Sequence, residues 1–103
     1  MERLEKYRAE IKTLCKTYKV KILYAFGSVL TENFTDESDI DLIVDFLDMK
    51  VEDYADNYFD FKFALQDLFG RQVDLLEERA IKDPYFRKNV RKQRQLIVYL
   101  TLV

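Results

Sequence analysis

Hydrophobic residues follow two different periods along the first half of the chain. Apolar positions three and four residues apart mark one face of a first amphipathic helix. They are Leu4, Tyr7, Ile11, Leu14 and Tyr18. Residues 20–26, VKILYAF, are a short β-branched and aromatic run that predicts a strand ending at Gly27. We expect a short helix over residues 28–32, a loop over 33–38, and a second strand over 39–46, DIDLIVDF.

The second half continues this alternation. A long helix is predicted over residues 48–70, with Gly70 as a natural stop. Its apolar face comprises Val51, Tyr54, Ala55, Tyr58, Phe61, Leu65, Leu68 and Phe69. A third strand is predicted over residues 71–77, RQVDLLE, and Asp83 followed by Pro84 starts a last helix. That helix is expected to place along one face Phe86, Val90, Ile97 and Leu100.

The predicted element order is α-β-α-β-α-β-α. It indicates a small α/β (α+β) fold, in which helices pack on a mixed β-sheet. With 103 residues, the chain suits a single domain over residues 1–103, because two domains would each lack an adequate core.

Two aspartates stand at the entrance to the second strand. Because side chains alternate along a strand, Asp39 and Asp41 are expected on one side of it. The other side, facing the core, would carry Ile40, Leu42, Val44 and Phe46. Two carboxylates about 7 Å apart on one face repel each other, and a cation, an arginine or solvent can hold such a pair. The plain alternative is that Asp39 caps a loop and Asp41 lies exposed on an edge strand.

Asp74 lies in the middle of the third strand and joins the pair if that strand lies beside the second; otherwise it can pair with Arg71. Three carboxylates on adjacent strands make an all-oxygen site, which suits Mg²⁺ or Mn²⁺ rather than zinc. Substrate phosphates commonly complete a Mg²⁺ site, which points to a nucleotide. Gly27 and Ser28 fit this site, because glycine lets backbone approach a phosphate and serine adds a hydroxyl and an N–H.

Composition narrows the chemistry further. The chain has no histidine and one cysteine, Cys15, so Ser-His-Asp catalysis, histidine-ligated zinc and an internal disulfide are excluded. We expect Cys15 to fill a half-buried helix position.

The net charge of −2 argues against a nucleic-acid partner, and the basic run at residues 87–94 is most simply a solvated face. No apolar signal core or bilayer-spanning run occurs, so we expect a cytoplasmic protein without a membrane partner.

The sequence FGS at residues 26–28, followed by SDIDLIVDF at residues 38–46, resembles the signature of the DNA polymerase β-like nucleotidyltransferases. The short length is closest to the minimal nucleotidyltransferases (MNT) of that superfamily. The resemblance covers nearly the whole chain, as far as DPYFR at residues 83–87. It implies the polymerase β-like fold and a mechanism in which two Mg²⁺ ions hold the triphosphate of an incoming nucleotide.

The resemblance also implies roles for individual residues. Asp39 and Asp41 match the pair that ligates both metal ions. Asp74 matches the third acid, which binds one metal and helps to deprotonate the attacking hydroxyl. Gly27 and Ser28 match the element that holds the β- and γ-phosphates.

Minimal nucleotidyltransferases are commonly encoded beside a HEPN partner, as antitoxin and toxin. The resemblance therefore implies ATP as substrate and transfer of AMP to a tyrosine of a HEPN RNase toxin, which silences it. One departure stands out: VLTE occupies residues 29–32, where family members often continue with Ala-Arg-Gly. An antitoxin that acts by binding, with weak or no catalysis, is therefore an alternative, and nucleotidyl transfer to a small molecule is another.

A second surface is predicted on the long helix. Phe59 and Phe63 are four residues apart and lie opposite its apolar face, among polar neighbours. Two aromatic residues on a polar face indicate contact with a partner or with a second copy of the chain. The alternatives are a helix sandwiched within the fold or two isolated exposed rings.

Overall fold

The computed structural model describes residues 2–100. Two helices, α1 (Glu2–Glu5) and α2 (Arg8–Thr17), lead into strand β1 (Val20–Phe26). A 3₁₀ turn (Gly27–Leu30) and a loop connect β1 to strand β2 (Ile40–Phe46). The rest comprises helix α3 (Val51–Phe69), strand β3 (Val73–Glu77), a 3₁₀ turn (Glu78–Ala80), helix α4 (Pro84–Gln93) and strand β4 (Gln95–Tyr99). The predicted mixed α+β class is confirmed.

The four strands form one sheet in the order β3-β2-β1-β4. Strands β2 and β3 run parallel, and the other neighbouring pairs are antiparallel. Antiparallel pairing sets Phe26 opposite Asp41, and parallel pairing sets Asp41 beside Asp74. The last residues of β1 and the first residues of β2 and β3 therefore meet at one end of the sheet.

The main hydrophobic core covers one face of this sheet. Strand β2 contributes Leu42, Val44 and Phe46 to it, as its alternation predicts. Helix α3 covers them with Phe61 and Leu65, and all five side chains are buried. Phe46 and Phe61 meet edge to face with ring centroids 5.9 Å apart, an arrangement that aromatic pairs favour. Truncating a core phenylalanine of this kind to alanine typically costs about 3–5 kcal/mol.

A smaller core on the opposite face anchors α4. It consists of buried Ile43, Ile81 and Val90. The Asp83 carboxylate accepts hydrogen bonds from the backbone N–H groups two and three residues further on, at 2.9 and 3.3 Å. This cap confirms the predicted start of the helix, since the first N–H groups of a helix need an acceptor from outside it.

The prediction that the last helix extends as far as Leu100 is wrong. Helix α4 ends at Gln93, so Ile97 lies in β4 and Leu100 follows it. Residues 95–99, QLIVY, contain the β-branched and aromatic types that strands favour. They pair with β1, which would otherwise present an open edge. Pairing with a strand distant in sequence therefore overrides a helical spacing.

Three smaller predictions also differ from the structure. The first helix is interrupted at Tyr7, whose backbone leaves the helical region while its ring packs edge-on against Phe69. Val51 starts α3 and is 88% exposed, so it does not belong to the apolar face that was predicted to include it. Cys15 is fully buried rather than half-buried. Within residues 2–100, no helix has both the length and the apolar character that a bilayer crossing requires.

Candidate active site

The site begins where β1 ends and the backbone turns at Gly27. Gly27 has φ +76°, a conformation that favours glycine. Its neighbour Phe26 is paired with Asp41 on β2, so the turn lies directly beside that carboxylate. A Cβ placed on Gly27 would lie 2.6 Å from Asp41 Oδ2. Both the backbone conformation and the close approach of the carboxylate therefore require glycine here.

The turn that follows Gly27 is held by its own hydrogen bonds. The backbone N–H and the hydroxyl of Thr31 both donate to the carbonyl of Ser28, each at 2.9 Å. Val29 is buried in the main core and anchors the turn from below. Ser28 is half-buried and adjoins Gly27, so the turn places these two residues at the end of the sheet that carries the acids.

Asp41 and Asp74 form a cross-strand pair of carboxylates on adjacent parallel strands. Asp41 is half-buried and Asp74 is exposed. Burial raises the pKa of the Asp41 carboxyl above its usual range, and the negative charges of Asp74 and Asp39 raise it further. Strands β2 and β3 do lie side by side, which was the condition for Asp74 to join the pair.

Asp39 lies one residue before β2 and is exposed. Its charge acts on Asp41, so all three predicted acids lie at one end of the sheet. As they stand, no group of three acidic, cysteine or histidine side chains within residues 2–100 encloses a metal position. The donor set nevertheless fits a hard divalent cation, because it is all carboxylate oxygen and its shared negative charge is unfavourable without a counter-ion. Asp39 and Asp74 are exposed enough to turn toward such an ion.

Arg71, which sequence reasoning considered only as a partner for Asp74, is directed elsewhere. Its Nη1 donates to the backbone carbonyls of Thr35 and Ser38, both at 2.9 Å. These carbonyls belong to the loop that leads into Asp39. No spacing in the sequence indicates this contact, because it joins residues more than thirty positions apart.

The aromatic pair on α3 lies on the solvent side of the helix. Phe59 is 49% exposed and Phe63 is 52% exposed, and their rings stack with centroids 6.1 Å apart. The helix is therefore not sandwiched on this side within the part of the chain that the structure describes. Because the inner side of α3 covers the main core, this pair lies away from the face of the sheet that carries Asp41.

Comparison with known proteins gives consistent matches across the chain. A family model described as "Polymerase beta, Nucleotidyltransferase" matches residues 9–100. Two Methanocaldococcus jannaschii proteins are similar in sequence. "Putative protein adenylyltransferase MJ0128" is 40% identical over 81% of this chain and 82% of its own. "Putative protein adenylyltransferase MJ1379" is 34% identical over the same shares.

Solved structures share the fold. The "Structure of putative minimal nucleotidyltransferase" has TM-score 0.73 and 28% identity, covering 91% of this chain and 92% of that one. A toxin-antitoxin structure with AMP-PNP has TM-score 0.69 and 21% identity, covering 90% and 73%. A chain from a tri-AMPylated Shewanella oneidensis HEPN toxin in complex with MNT antitoxin has TM-score 0.63 and 20% identity, covering 97% and 74%. At these last two identities the likeness supports the fold alone.

Proposed function

The chain belongs to the polymerase beta nucleotidyltransferase family, and on that premise we propose that it transfers AMP from ATP to a hydroxyl group in a Mg²⁺-dependent reaction. One observation carries the proposal: Asp41 and Asp74 are paired across β2 and β3, and the turn at Gly27 is packed against Asp41. A pair of carboxylates beside an open backbone turn is an arrangement that can hold a cation and a phosphate chain together.

In this proposal all three acids serve as metal ligands, and one of them also takes up a proton. Asp39 and Asp41 would hold two Mg²⁺ ions, or Mn²⁺ in their place, and Asp74 would hold one of them. When bound, these ions would lower the pKa of the attacking hydroxyl and offset the charge of the leaving pyrophosphate. Asp74 accepts the proton of that hydroxyl while the hydroxyl oxygen bonds to the α-phosphorus. The bond from the α-phosphorus to the pyrophosphate oxygen breaks in the same displacement.

The turn orients the nucleotide. Gly27 and Ser28 border the acids, so a triphosphate that reaches Asp41 also reaches their backbone. We assign the β- and γ-phosphates to this turn, where a missing side chain at Gly27 leaves the backbone accessible. This placement leaves the α-phosphate nearest to the three carboxylates.

The acceptor we propose is a tyrosine of a HEPN RNase toxin, which makes the chain an antitoxin. The names of the curated relatives, protein adenylyltransferases, favour a protein acceptor. The fold-level neighbours include an MNT antitoxin in complex with an AMPylated HEPN toxin. The exposed Phe59 and Phe63 are the surface that we assign to this partner.

The test is transfer of label from [α-³²P]ATP to the HEPN protein encoded nearest to this gene, with Mg²⁺. Transfer is expected with the original chain and with the control Asp53→Asn/Asp67→Asn, which changes exposed acids of α3. It should be absent with Asp39→Asn/Asp41→Asn. Mass spectrometry of the labelled toxin identifies the acceptor residue. An original chain that labels no better than Asp39→Asn/Asp41→Asn would refute the proposal.

Neutralisation by binding alone is the second candidate. It is favoured by VLTE at residues 29–32, which lacks the usual arginine and brings an exposed acid, Glu32, close after the turn. The Asp39→Asn/Asp41→Asn variant separates the two functions. If this variant protects cells from the toxin as well as the original chain does, binding is sufficient; if protection is lost while the complex still forms, the chemistry is required.

A further inference from the structure

The loop of residues 31–38 connects the turn at Gly27 to Asp39, and Phe34 is its one hydrophobic residue, packed against the main core. Thr35 and Ser38 hydrogen-bond to each other within it, and six of its eight residues are exposed. A cavity of about 410 Å³ opens beside it, lined by residues that include Arg3, Lys6, Phe34 and Arg71. The position of Asp39 therefore depends on specific polar contacts rather than on close packing.

Arg71 provides those contacts from the start of the neighbouring strand. Its Nη1 donates to the carbonyls of Thr35 and Ser38, both at 2.9 Å, and its guanidinium centre lies 4.5 Å from the Phe34 ring centroid. Ser38 immediately precedes Asp39, and Arg71 comes three residues before Asp74. One side chain thus links the segments that carry two of the three acids.

A backbone hydrogen bond reinforces this link. The N–H of Ile40, the residue after Asp39, donates to the carbonyl of Gln72 at 3.0 Å. Together with the contacts of Arg71, it fixes how far the start of β2 lies from the start of β3. This hydrogen bond lies next to the position at which Asp41 and Asp74 are paired across the two strands.

Arg3 makes comparable contacts with the turn that starts at Gly27. Its guanidinium lies 5.1 Å from the Phe34 ring centroid, and its Nη1 donates to the carbonyl of Val29 at 2.9 Å. Phe34 therefore contacts two arginines, one tied to the turn and the other to the end of the loop. Guanidinium groups suit this task, because one planar group can stack on a ring and donate to several carbonyls at once.

Arg3 and Arg71 donate to backbone carbonyls rather than to carboxylates. The ion pairs found among residues 2–100 are Arg8–Glu5, Arg79–Asp45, Arg79–Asp48 and Arg94–Glu78. Arg71 therefore donates to the loop carbonyls and is not among these ion pairs. Because it does not neutralise Asp74, the three carboxylates remain available to a cation.

We propose that Arg71 is a positioning residue: by bonding to Thr35 and Ser38 it fixes Asp39 relative to Asp41 and Asp74, and so sets the affinity of the site for its metal. The inference rests on the proposed function. Residues that orient metal ligands typically change metal affinity about 10–100-fold when mutated.

The experiment measures Mn²⁺ binding to the full chain by electron paramagnetic resonance of the free ion, without nucleotide or partner. Arg71→Met retains much of the side-chain stem but removes its donors. It is expected to weaken Mn²⁺ binding by about tenfold or more. Arg71→Lys, which keeps one donor group, should recover part of the affinity. Arg79→Met is the matched control, since Arg79 lies just beyond the other end of β3 and also donates to a backbone carbonyl, that of Phe46; its Mn²⁺ affinity should equal that of the original chain.

Thermal midpoints of the same variants separate positioning from general loss of structure. Weaker Mn²⁺ binding by Arg71→Met, at a midpoint no lower than that of Arg79→Met, supports the inference. If the original chain binds Mn²⁺, Asp41→Asn abolishes that binding and Arg71→Met leaves it unchanged, the inference alone is overturned. If the original chain binds no Mn²⁺ in the absence of nucleotide, this inference is overturned, while the proposed function is decided separately by the transfer of label from ATP.

Discussion

The backbone of Gly27 and the carboxylate of Asp41 are in such close contact that no side chain fits between them: a Cβ on Gly27 would lie 2.6 Å from Asp41 Oδ2. The contact follows from strand pairing, because Phe26 faces Asp41 across β1 and β2 and the chain turns one residue later. The turn that we assign to phosphate and the acid that we assign to metal therefore share one surface. Any residue larger than glycine must displace one of them.

Gly27→Ala should reduce nucleotidyl transfer about 100-fold, since a displacement of about 1 Å in a reacting constellation can cost that much. The variant should also lose about 1–2 kcal/mol of stability, because an alanine is strained at a positive φ. Steady-state transfer rates and urea denaturation measure the two effects separately.

Gly70→Ala is the matched control for this variant. Gly70 has nearly the same conformation, φ +68°, but no atom lies within 4 Å of its added Cβ. It should show a comparable stability loss with unchanged transfer. Equal losses of activity in the two variants would mean that backbone strain, and not the contact with Asp41, explains the effect.

Asp41→Asn should stabilise the chain in the absence of divalent metal. Burial and the charges of Asp74 and Asp39 raise the pKa of Asp41, so its charged form is unfavourable in the folded state. Removing a like-charge cross-strand contact is worth about 0.2–1 kcal/mol after solvent screening. Each kcal/mol raises the thermal midpoint of a domain of this size by about 4–8 °C.

The pH dependence of this effect has a definite sign. Because the pKa of Asp41 is higher in the folded than in the unfolded chain, the folded chain binds more protons between the two values. Its stability should therefore fall as pH rises through that interval, and Asp41→Asn should remove this part of the fall. Saturating Mg²⁺ should raise the midpoint of the original chain but not that of the variant.

Asp45→Asn is a control for which the opposite change in the thermal midpoint is expected. Asp45 lies on the same strand and face, but it accepts a hydrogen bond from Arg79 Nε at 3.2 Å. Neutralising it should lower the midpoint slightly, whatever the metal concentration. A fall in the midpoint of Asp41→Asn in metal-free buffer would show that repulsion at the carboxylate pair is not significant.

Local sequence signals predict the elements that local chemistry determines. The run VKILYAF predicts β1 with its observed bounds, Gly70 ends α3 in the left-handed conformation, and Asp83 caps α4. The alternation of DIDLIVDF places Asp41 on the face opposite the core, as observed. Each of these features depends on residues within a few positions of one another.

Features that depend on distant residues could not be predicted in this way. Strand β4 forms because it pairs with the otherwise open edge of β1, a strand about seventy residues earlier in the chain. The inclusion of Asp74 required β3 to lie beside β2, which the alternation of either strand alone does not determine. The contacts of Arg71 with the loop and of Arg94 with Tyr24 join side chains whose proximity only the folded sheet creates.

The ion pair between Arg94 and Glu78 should contribute measurably to stability. The two charged groups are 2.8 Å apart, and each side chain is less than one-fifth exposed. Arg94 also lies over the Tyr24 ring at 3.9 Å, which joins the end of α4 to β1. Glu78→Gln leaves a charged donor partly buried without its partner and should cost about 1–3 kcal/mol in urea denaturation.

Glu5→Gln tests whether the stability contributed by the Arg94–Glu78 pair is due to its partial burial. Glu5 and Arg8 are also 2.8 Å apart, but both side chains are about half exposed. Solvent screens such a pair, so this variant should leave the denaturation midpoint unchanged. If the two glutamine variants behave alike, the partial burial of the Arg94–Glu78 pair has no energetic consequence.

If the proposed function holds, the stacked pair Phe59 and Phe63 should bind the HEPN toxin and contribute little to folding. Both rings are about half exposed, and polar, mostly acidic residues flank them on α3, so they resemble the apolar centre of an interface with a polar rim. Phe59→Ser/Phe63→Ser should leave the thermal midpoint nearly unchanged. It should weaken the complex by about 2 kcal/mol or more, roughly 30-fold in Kd, as loss of an aromatic hot spot does.

Isothermal titration with the purified toxin measures the affinity, and light scattering of the chain alone measures self-association. Tyr85→Ser is the control, because Tyr85 is an 83% exposed aromatic residue on α4, on the opposite face of the sheet, and its loss should not affect binding. If Phe59→Ser/Phe63→Ser lowers self-association and leaves toxin affinity intact, the pair is a contact between copies of this chain. If neither quantity changes, the two rings are isolated exposed residues without a binding role.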